Sequence, residues 1–314
     1  MGAELRFDGR VAVVTGGGRG LGRAFARLLA ARGAAVLVND VGVSSDADRY
    51  PPEPDAAEAA IAVAAEIVAE GGTAVSSTAD VADEHGARSV VDEALAAFGR
   101  LDIVINNAGI VLDGAFLDQT VDDLRALWSV HVGGAFRVTR AAWPHLAGQG
   151  YGRVVNVGSI AGLLVGVGGH SAYDAAKGGL AGMTRSLATE GAPLGIQVNG
   201  LLPTATTRAA LSVRRSYDRG IAFEPEQVAA VAAWLAHEEC PVSGRYFAAG
   251  AGRVGEVFTS AARGYQCPTP ATFTLEHVRD EWAVIRSTAD AMSPATVAEY
   301  NAFRIGIYQD VVGS

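Results

Sequence analysis

The sequence predicts an α/β fold in which seven parallel strands form one doubly wound sheet with helices on both faces. Short apolar runs rich in β-branched residues recur along the chain. Most of these runs are continuous rather than alternating, which is typical of strands buried on both faces. Alanine-rich segments of helical periodicity separate them, and an alternating order of strands and helices indicates a parallel sheet.

The predicted strands cover 11–15, 34–39, 73–78, 101–106, 152–157, 196–201 and 244–249. One helix is predicted directly after the first strand, because Leu21, Ala24, Phe25, Leu28 and Leu29 share one helical face. Further predicted helices cover 56–70, 84–98, 120–147 and 172–191.

Two segments depart from this alternation. Residues 41–55 are polar and carry three prolines, so they are interpreted as a surface loop. Residues 253–314 contain two predicted helices, one near 274–288 and one beginning at Ser293-Pro294, joined to the last strand by an irregular segment. We expect 1–252 to form a single domain and 253–314 a helical extension packed on it, because about 60 residues make a thin separate core.

Composition excludes several classes of protein. The chain of 314 residues has a formal net charge of −9 and no basic run, which disfavours a nucleic-acid partner. Cys240 and Cys267 form no C-x-x-C pair and suit a reducing compartment. The sequence shows neither an apolar signal segment nor a long apolar span, so we expect a cytoplasmic protein without a membrane partner. No metal site is predicted.

A glycine-rich turn, TGGGRGLG at 15–22, lies between the first strand and the first helix. Gly16 permits a tight turn, Gly20 lets the backbone approach a pyrophosphate, and Gly22 allows close contact between helix and strand. The free N–H groups and the dipole of the helix N-terminus favour phosphate. The turn therefore predicts a dinucleotide site, with Gly18, Arg19 and Leu21 as further contacts.

Asp40 ends the second strand, where an acidic side chain can accept hydrogen bonds from ribose hydroxyls and repel a 2′-phosphate. This favours NAD over NADP. Two alternatives stay open, since Arg19 could meet a 2′-phosphate and Asp40 could be a turn residue before Gly42.

The segments after the third and fourth strands should reach the same edge of the sheet as the glycine turn. We expect Asp80 and Val81 to hold the adenine, and Asn107, Ala108 and Gly109 to lie against the cofactor.

Of the 25 lysine and arginine residues, only Lys177 is a lysine. It follows Tyr173 by four positions on a predicted helix, so both side chains share a face. A nearby ammonium can lower the pKa of a phenol, and lysine suits this role better than arginine's planar fork. Ser159 follows the fifth strand and could hold a substrate oxygen. These residues predict a general acid/base pair beside a nicotinamide cofactor.

The motifs TGGGRGLG, NNAG, Ser159 and YDAAK resemble those of the short-chain dehydrogenase/reductase family over about residues 7–252. The resemblance implies a Rossmann-type fold, Tyr173 as general acid/base with Lys177 and Ser159, and a homodimer or homotetramer. Two positions depart from the family. His131 stands where an asparagine usually supports a water-mediated proton relay, and Pro203-Thr204 replaces Pro-Gly. Thr206 or Thr207 is implied to hold the nicotinamide carboxamide.

Within the family, the segments 38–42, 130–146, 234–240 and 248–258 are similar to the 3-hydroxyacyl-CoA dehydrogenase part of type 2 multifunctional β-oxidation enzymes, which also carry this histidine. The implied reaction is NAD-dependent oxidation of a secondary alcohol, with a 3-hydroxyacyl-CoA favoured and a hydroxysteroid or other bulky apolar alcohol as the alternative. Arg208, Arg214, Arg215 and Arg219 could bind the CoA phosphates or form a solvated face.

His131 leaves two interpretations open. It could replace the relay asparagine, with titration near neutrality as a consequence, or it could only pack. A non-catalytic NAD-binding regulatory protein is the remaining hypothesis for the whole chain, and His131 is the residue in its favour.

Overall fold

The structure is a computed structural model that describes residues 4–42, 58–205 and 223–312. The chain divides into two compact units, Met1–Val257 and Phe258–Ser314. The first unit contains one eight-stranded sheet in the order β3-β2-β1-β4-β5-β6-β7-β8. The strands are β1 (Val11–Thr15), β2 (Ala35–Asn39), β3 (Thr73–Ser77), β4 (Ile103–Asn106), β5 (Gly152–Val157), β6 (Ile196–Pro203), β7 (Tyr246–Gly250) and β8 (Arg253–Val257).

The first seven strands are parallel, as predicted, and the eighth corrects the strand count. β8 pairs antiparallel with β7 from Tyr246↔Val257 to Gly250↔Arg253. Its five residues lie in the segment that the sequence assigned to the helical extension. The tight turn at Ala251 and Gly252, both with positive φ, brings the chain back along the edge of the sheet.

Helices cover both faces of the sheet. They are α1 (Gly20–Ala31), α2 (Ala59–Ala69), α3 (Glu84–Phe98), α4 (Val121–Trp128), α5 (Ala135–Gly148), α6 (Ser171–Gly191) and α7 (Pro225–Ala236). α7 is not among the predicted helices, although Pro225 at its first turn is a usual helix-start signal.

The sheet separates two apolar cores. Alternate residues of β1 point to opposite sides, so Ala12 and Val14 join one core with Phe25 of α1, whereas Val11 and Val13 join the other. This period of two, with every position buried, is what a strand between two helical layers requires. The continuous apolar runs of the sequence are therefore strands buried on both faces, as predicted.

The helix predicted over 120–147 is interrupted. A π-helical turn, Ser129–Gly134, separates α4 from α5 and carries His131. The turn inserts an extra residue into the helical register, and such insertions are frequent at functional sites. Gly134 fits there because a Cβ would lie 3.1 Å from the side chain of Val81.

The second unit contains α8 (Leu275–Asp280), α9 (Trp282–Ile285) and α10 (Val297–Val311). The helix expected to begin at Ser293-Pro294 instead begins at Val297. Thr296 is its N-cap and accepts the N–H of Glu299 at 3.1 Å, while the Ser293 hydroxyl bonds Ser260. How this unit relates to the first stays a prediction.

A buried carboxylate holds the amino ends of the strands. Asp102 is fully buried and accepts the N–H of Val11 at 2.9 Å, and it also pairs with Arg10 at 3.2 Å and Arg100 at 2.6 Å. Each oxygen is therefore satisfied by charged or backbone donors, which offsets the cost of burying the charge.

Asp102→Ala should lower the free energy of unfolding by about 3 kcal/mol, because a backbone donor and two cations lose their shared partner. Urea denaturation of both proteins measures the difference. The matched control is Asp122→Ala, which removes an exposed pair with Arg125 and should change stability little. Equal effects of the two substitutions would contradict this role for Asp102.

Candidate active site

The predicted site residues meet at the carboxyl edge of the parallel strands. The glycine turn follows β1, Asp40 follows β2, Asn107 follows β4 and Ser159 follows β5. β1 and β4 are neighbours in the sheet although they are not consecutive in the chain. Open α/β sheets bind ligands at such a switch in strand order.

The glycine turn has the backbone that the sequence predicts. Gly16 and Gly20 have φ of +61° and +49°, in the left-handed region that favours glycine. A Cβ on Gly22 would collide with the carbonyl oxygen of Gly16, so α1 can approach β1 this closely only with glycine. The N-cap residue of α1, Arg19, makes no side-chain cap, so the helix N-terminus suits a pyrophosphate.

Asn107 and Thr15 hold the turn against the end of β4. The Asn107 amide donates to the carbonyl oxygens of Thr15 at 3.0 Å and Gly16 at 2.9 Å. In return, the Thr15 hydroxyl accepts the N–H groups of Asn107 and Ala108. Thr15 is therefore a positioning residue for which the sequence predicted no role. The sequence does contain a signal for this role, because a residue with a hydroxyl group immediately precedes the first glycine of the turn.

The Asp40 carboxylate lies beside the glycine turn and is mostly buried. It accepts the N–H of Gly18 at 3.1 Å and that of Gly42 at 2.9 Å, and Arg19 lies 3.9 Å away. Asp40 is therefore both a turn residue and a neighbour of the dinucleotide turn. Arg19 is paired with this same carboxylate, which reduces its availability to a 2′-phosphate.

Asp80 and Val81 follow β3. Asp80 is exposed and accepts the N–H of Ala82 at 2.8 Å, whereas Val81 is buried against Gly134. The carbonyl of Ala79 accepts a bond from Asn39 at 2.9 Å, which ties this segment to the end of β2.

Only part of the segment after β6 belongs to the described residues. Pro203 ends β6 and the Thr204 N–H donates to the carbonyl oxygen of Ala249. The other residues predicted there lie outside the described ranges, namely Thr206, Thr207, Arg208, Arg214, Arg215 and Arg219.

Lys177 is buried inside the protein, 5% exposed, on α6. Its Nζ donates to the carbonyl oxygen of Val157, the last residue of β5, at 2.8 Å. The same nitrogen lies 5.6 Å from the ring centroid of Tyr173. Burial lowers the pKa of Lys177 to about 7, because the charged form loses its hydration.

Tyr173 is partly buried, and Ser159 lies close enough to its phenol to affect its pKa. The expected lowering of its pKa by the lysine is wrong for this structure, since burial raises the pKa of Tyr173 to about 12 despite the opposing effect of Ser159. Desolvation of the phenolate is the largest cause, and the neighbouring carboxylate of Asp174 raises the pKa further. The phenol is therefore held protonated at neutral pH.

His131 packs edge-on against Tyr173, with ring centroids 5.4 Å apart. Its Nε2 lies 2.7 Å from the carbonyl oxygen of Ile110, so in the neutral ring this nitrogen carries the proton. Burial, together with the amine of Lys177, holds the pKa of His131 well below its usual range. The predicted titration of His131 near neutrality is therefore wrong. Its Nδ1 is buried and has no hydrogen-bond partner among the described residues.

His170 is a second aromatic neighbour of Tyr173, and it is not among the predicted site residues. Its ring centroid lies 5.7 Å from that of Tyr173. It immediately precedes α6, three residues before the tyrosine, and no periodicity marks such a position. Tyr173 is thus flanked by two histidine rings, one buried and one half-buried.

The pKa of Lys177 predicts a pH dependence of stability. Between about 7 and its ordinary value of 10.5, the unfolded chain binds a proton at Lys177 that the folded chain does not. Stability should therefore rise with pH in this window, by at most about 1.4 kcal/mol per pH unit.

Urea denaturation at pH 7.5 and 9.5 tests this, with Lys177→Met as the matched control. The free energy of unfolding should increase with pH in the unsubstituted protein, relative to that of the variant. A constant difference between the two proteins would show that the buried amine keeps its charge.

Within the described residues, no helix is long and apolar enough to cross a membrane. The same part of the chain holds no group of three or more His, Cys, Asp and Glu side chains placed to bind a metal ion.

Comparisons with known proteins agree with this geometry. The short chain dehydrogenase family matches residues 10–218. Peroxisomal multifunctional enzyme type 2 of Mus musculus is 39% identical over 300 residues, which cover 95% of this chain and 40% of that protein. A putative short-chain type dehydrogenase/reductase of Mycobacterium tuberculosis is 39% identical over 286 residues, which cover 90% of this chain and 96% of that protein.

The structure of full-length peroxisomal multifunctional enzyme type 2 from Drosophila melanogaster superposes with a TM-score of 0.79 at 31% identity. The match covers 98% of this chain and 51% of that one, so this chain spans about half or less of the multifunctional relatives. By sequence and by fold, the chain belongs to the short-chain dehydrogenase/reductase family and is an oxidoreductase that acts on CH–OH groups.

Proposed function

We propose that this protein interconverts a secondary alcohol and a ketone by hydride transfer with NAD, and that its substrate is a 3-hydroxyacyl-CoA. The observation that carries the proposal is the position of Tyr173, with Ser159 close to its phenol and the buried amine of Lys177 5.6 Å from its ring centroid. These residues lie at the same edge of the sheet as the glycine turn. A family assignment alone leaves the cofactor and the substrate open.

The cofactor, when bound, supplies the carbon that accepts or donates the hydride. The chain's own residues manage the proton. Tyr173 exchanges it with the substrate oxygen, and the Ser159 hydroxyl holds that oxygen by a second hydrogen bond. Because burial keeps the phenol protonated, Tyr173 is ready to donate in the reductive direction. In the oxidative direction Tyr173 becomes a phenolate, and the amine of Lys177, 5.6 Å from the ring centroid, stabilises that charge when it is protonated.

The preference for NAD rests on Asp40. Its carboxylate lies within hydrogen-bond distance of the Gly18 N–H, so it borders the turn that would receive the adenosine half of the cofactor. A 2′-phosphate would meet this carboxylate in a poorly hydrated place, which is costly. Asp40 also accepts from Gly42, which fixes the side chain toward the turn.

Apolar side chains on two loops support a long acyl substrate. Phe116 and Leu117 follow β4 and are 76% and 93% exposed, and Leu164 and Val165 follow β5 and are 58% and 46% exposed. Exposed apolar side chains on loops that follow β4 and β5 suit a substrate with an apolar body. A hydroxysteroid or similar bulky alcohol would use the same surface, and it is the second candidate.

Several accompanying expectations stay proposals. We expect a homodimer or homotetramer without a nucleic-acid or membrane partner. The cytoplasm is the location expected from the sequence, whereas the multifunctional relatives are named peroxisomal. The non-catalytic hypothesis depended on His131, and the ring's packing against Tyr173 gives it no support.

Tyr173→Phe should abolish turnover while NAD still binds, because only the phenolic oxygen is lost. We expect kcat to fall by at least about a thousandfold. Absorbance of NADH, followed over a panel of 3-hydroxyacyl-CoAs and hydroxysteroids, measures turnover and also separates the two candidate substrates. Tyr151→Phe is the matched control, since Tyr151 precedes β5 and stacks with Arg10 at the opposite edge of the sheet. Retained activity in Tyr173→Phe would remove this residue from the mechanism.

Asp40→Ala should relax cofactor selectivity by removing the carboxylate that faces a 2′-phosphate. The ratio of kcat/KM for NADP to that for NAD should rise about tenfold or more. Steady-state kinetics with both cofactors measure it, with Arg19→Ala as the comparison. If the selectivity between NAD and NADP changed in Arg19→Ala and not in Asp40→Ala, Arg19 would be the residue that distinguishes the two cofactors.

A further inference from the structure

Gln119 joins three segments around Tyr173. It is half-buried and lies just before α4, between the loop that follows β4 (107–118, the β4 loop) and the loop that follows β5 (158–170, the β5 loop). Its side-chain amide makes four hydrogen bonds, which is its full capacity of two donors and two acceptor positions. A glutamine satisfied at every position is held in one orientation.

The donor half of this amide clamps the two loops together. Nε2 donates to the carbonyl oxygen of Gly114 in the β4 loop at 2.7 Å and to that of Gly169 in the β5 loop at 2.8 Å. The Gly114 N–H also donates to the carbonyl oxygen of Gly169 at 3.0 Å. The two loops therefore meet at one point, and Gln119 contributes two of the three bonds there.

The acceptor half caps the catalytic helix. The N-cap residue of α6, His170, makes no side-chain cap, so the first turn needs an outside acceptor. Oε1 of Gln119 accepts the N–H of Ala172 at 3.0 Å and the hydroxyl of Ser171 at 2.9 Å. Gln119 thus supplies the cap of α6 from a different part of the chain, next to Tyr173.

Each loop is also linked to the ring of Tyr173 through a histidine, which belongs to the loop in one case and is bonded to it in the other. His170, at the end of the β5 loop, lies against one part of the ring. His131 lies against another and is bonded to Ile110 of the β4 loop. A movement of either loop would therefore act on a histidine that packs against Tyr173.

We propose that Gln119 is a positioning residue of the active site, which fixes the β4 and β5 loops and the first turn of α6 around Tyr173. The proposal rests on the proposed function only for its kinetic consequence. No other side chain type provides two donors and two acceptors at this length. The substitution Gln119→Glu therefore keeps the cap and loses the clamp, whereas an apolar replacement loses both.

Two variants separate the halves of the amide. Gln119→Met should raise KM for the alcohol substrate about tenfold, because the loops that carry the exposed apolar side chains lose their connection. Affinity for NAD should change little, since Asn107 and Thr15 hold the glycine turn through bonds of their own at the start of the β4 loop. Gln149→Met is the matched control, because Gln149 also bonds two backbone carbonyls, those of Leu101 and Tyr151, at the opposite edge of the sheet.

Hydrogen exchange provides a readout that needs no substrate. In Gln119→Met, the amides of Gly114 and Ala172 should both exchange faster than in the unsubstituted protein. In Gln119→Glu, the amide of Ala172 should stay protected while that of Gly114 exchanges faster, since a carboxylate can cap and cannot donate. Urea denaturation confirms that each variant is folded.

Unchanged exchange at Gly114 and Ala172 in Gln119→Met would overturn the proposal, as would equal KM effects of Gln119→Met and Gln149→Met. A failure of the proposed function is distinguishable from this result. It would leave the unsubstituted protein inactive on every 3-hydroxyacyl-CoA and hydroxysteroid while the exchange pattern of the variants still followed the expectation.

Discussion

The hydrogen bond from the Lys177 amine to the carbonyl oxygen of Val157 joins the catalytic helix to the centre of the sheet. It places an ionisable nitrogen in a buried position and directs it toward the end of β5, where Ser159 follows two residues later. Because the amine has this partner, burial shifts its protonation equilibrium and does not expel it to solvent. The position of Tyr173, one helical turn earlier, follows from this bond.

The glycine turn is likewise held by hydrogen bonds to backbone groups at the carboxyl edge of the sheet. Thr15 and Asn107 exchange hydrogen bonds across the switch point between β1 and β4. The glycine turn is thereby fixed before any ligand arrives, so its N–H groups need little reorganisation to receive an anion. Tyr173 and this turn are held by separate sets of bonds, which lets cofactor binding and proton transfer be altered independently.

Much of the fold and the site is predictable from the sequence, because continuous apolar runs and a glycine turn are local signals. The strand positions, the alternation with helices and the place of Asp40, Ser159 and Lys177 follow from such signals. β8 does not, since its five residues are partly exposed and paired through a turn. The π-helical turn is hidden because one inserted residue barely disturbs an apolar period.

The electrostatics of the site were the least predictable part. The rise in the pKa of Tyr173 and the fall in that of His131 depend on how deeply neighbouring elements bury each ring, which spacing along the chain does not encode. The contacts of Gln119 likewise require two loops to meet in space. The candidate reacting groups can be named from the sequence, whereas the positions of the groups that surround them cannot.

The fit between Gly109 and His131 has an evolutionary consequence. A Cβ on Gly109 would overlap Cε1 of the imidazole, so the ring occupies volume that any other residue at 109 would claim. A lineage that exchanged this histidine for a smaller amide could afterwards accept a side chain at 109, whereas the reverse order of changes would pass through a steric clash. Substitutions at positions 109 and 131 should therefore be correlated, and the histidine should persist only in descendants that keep the glycine.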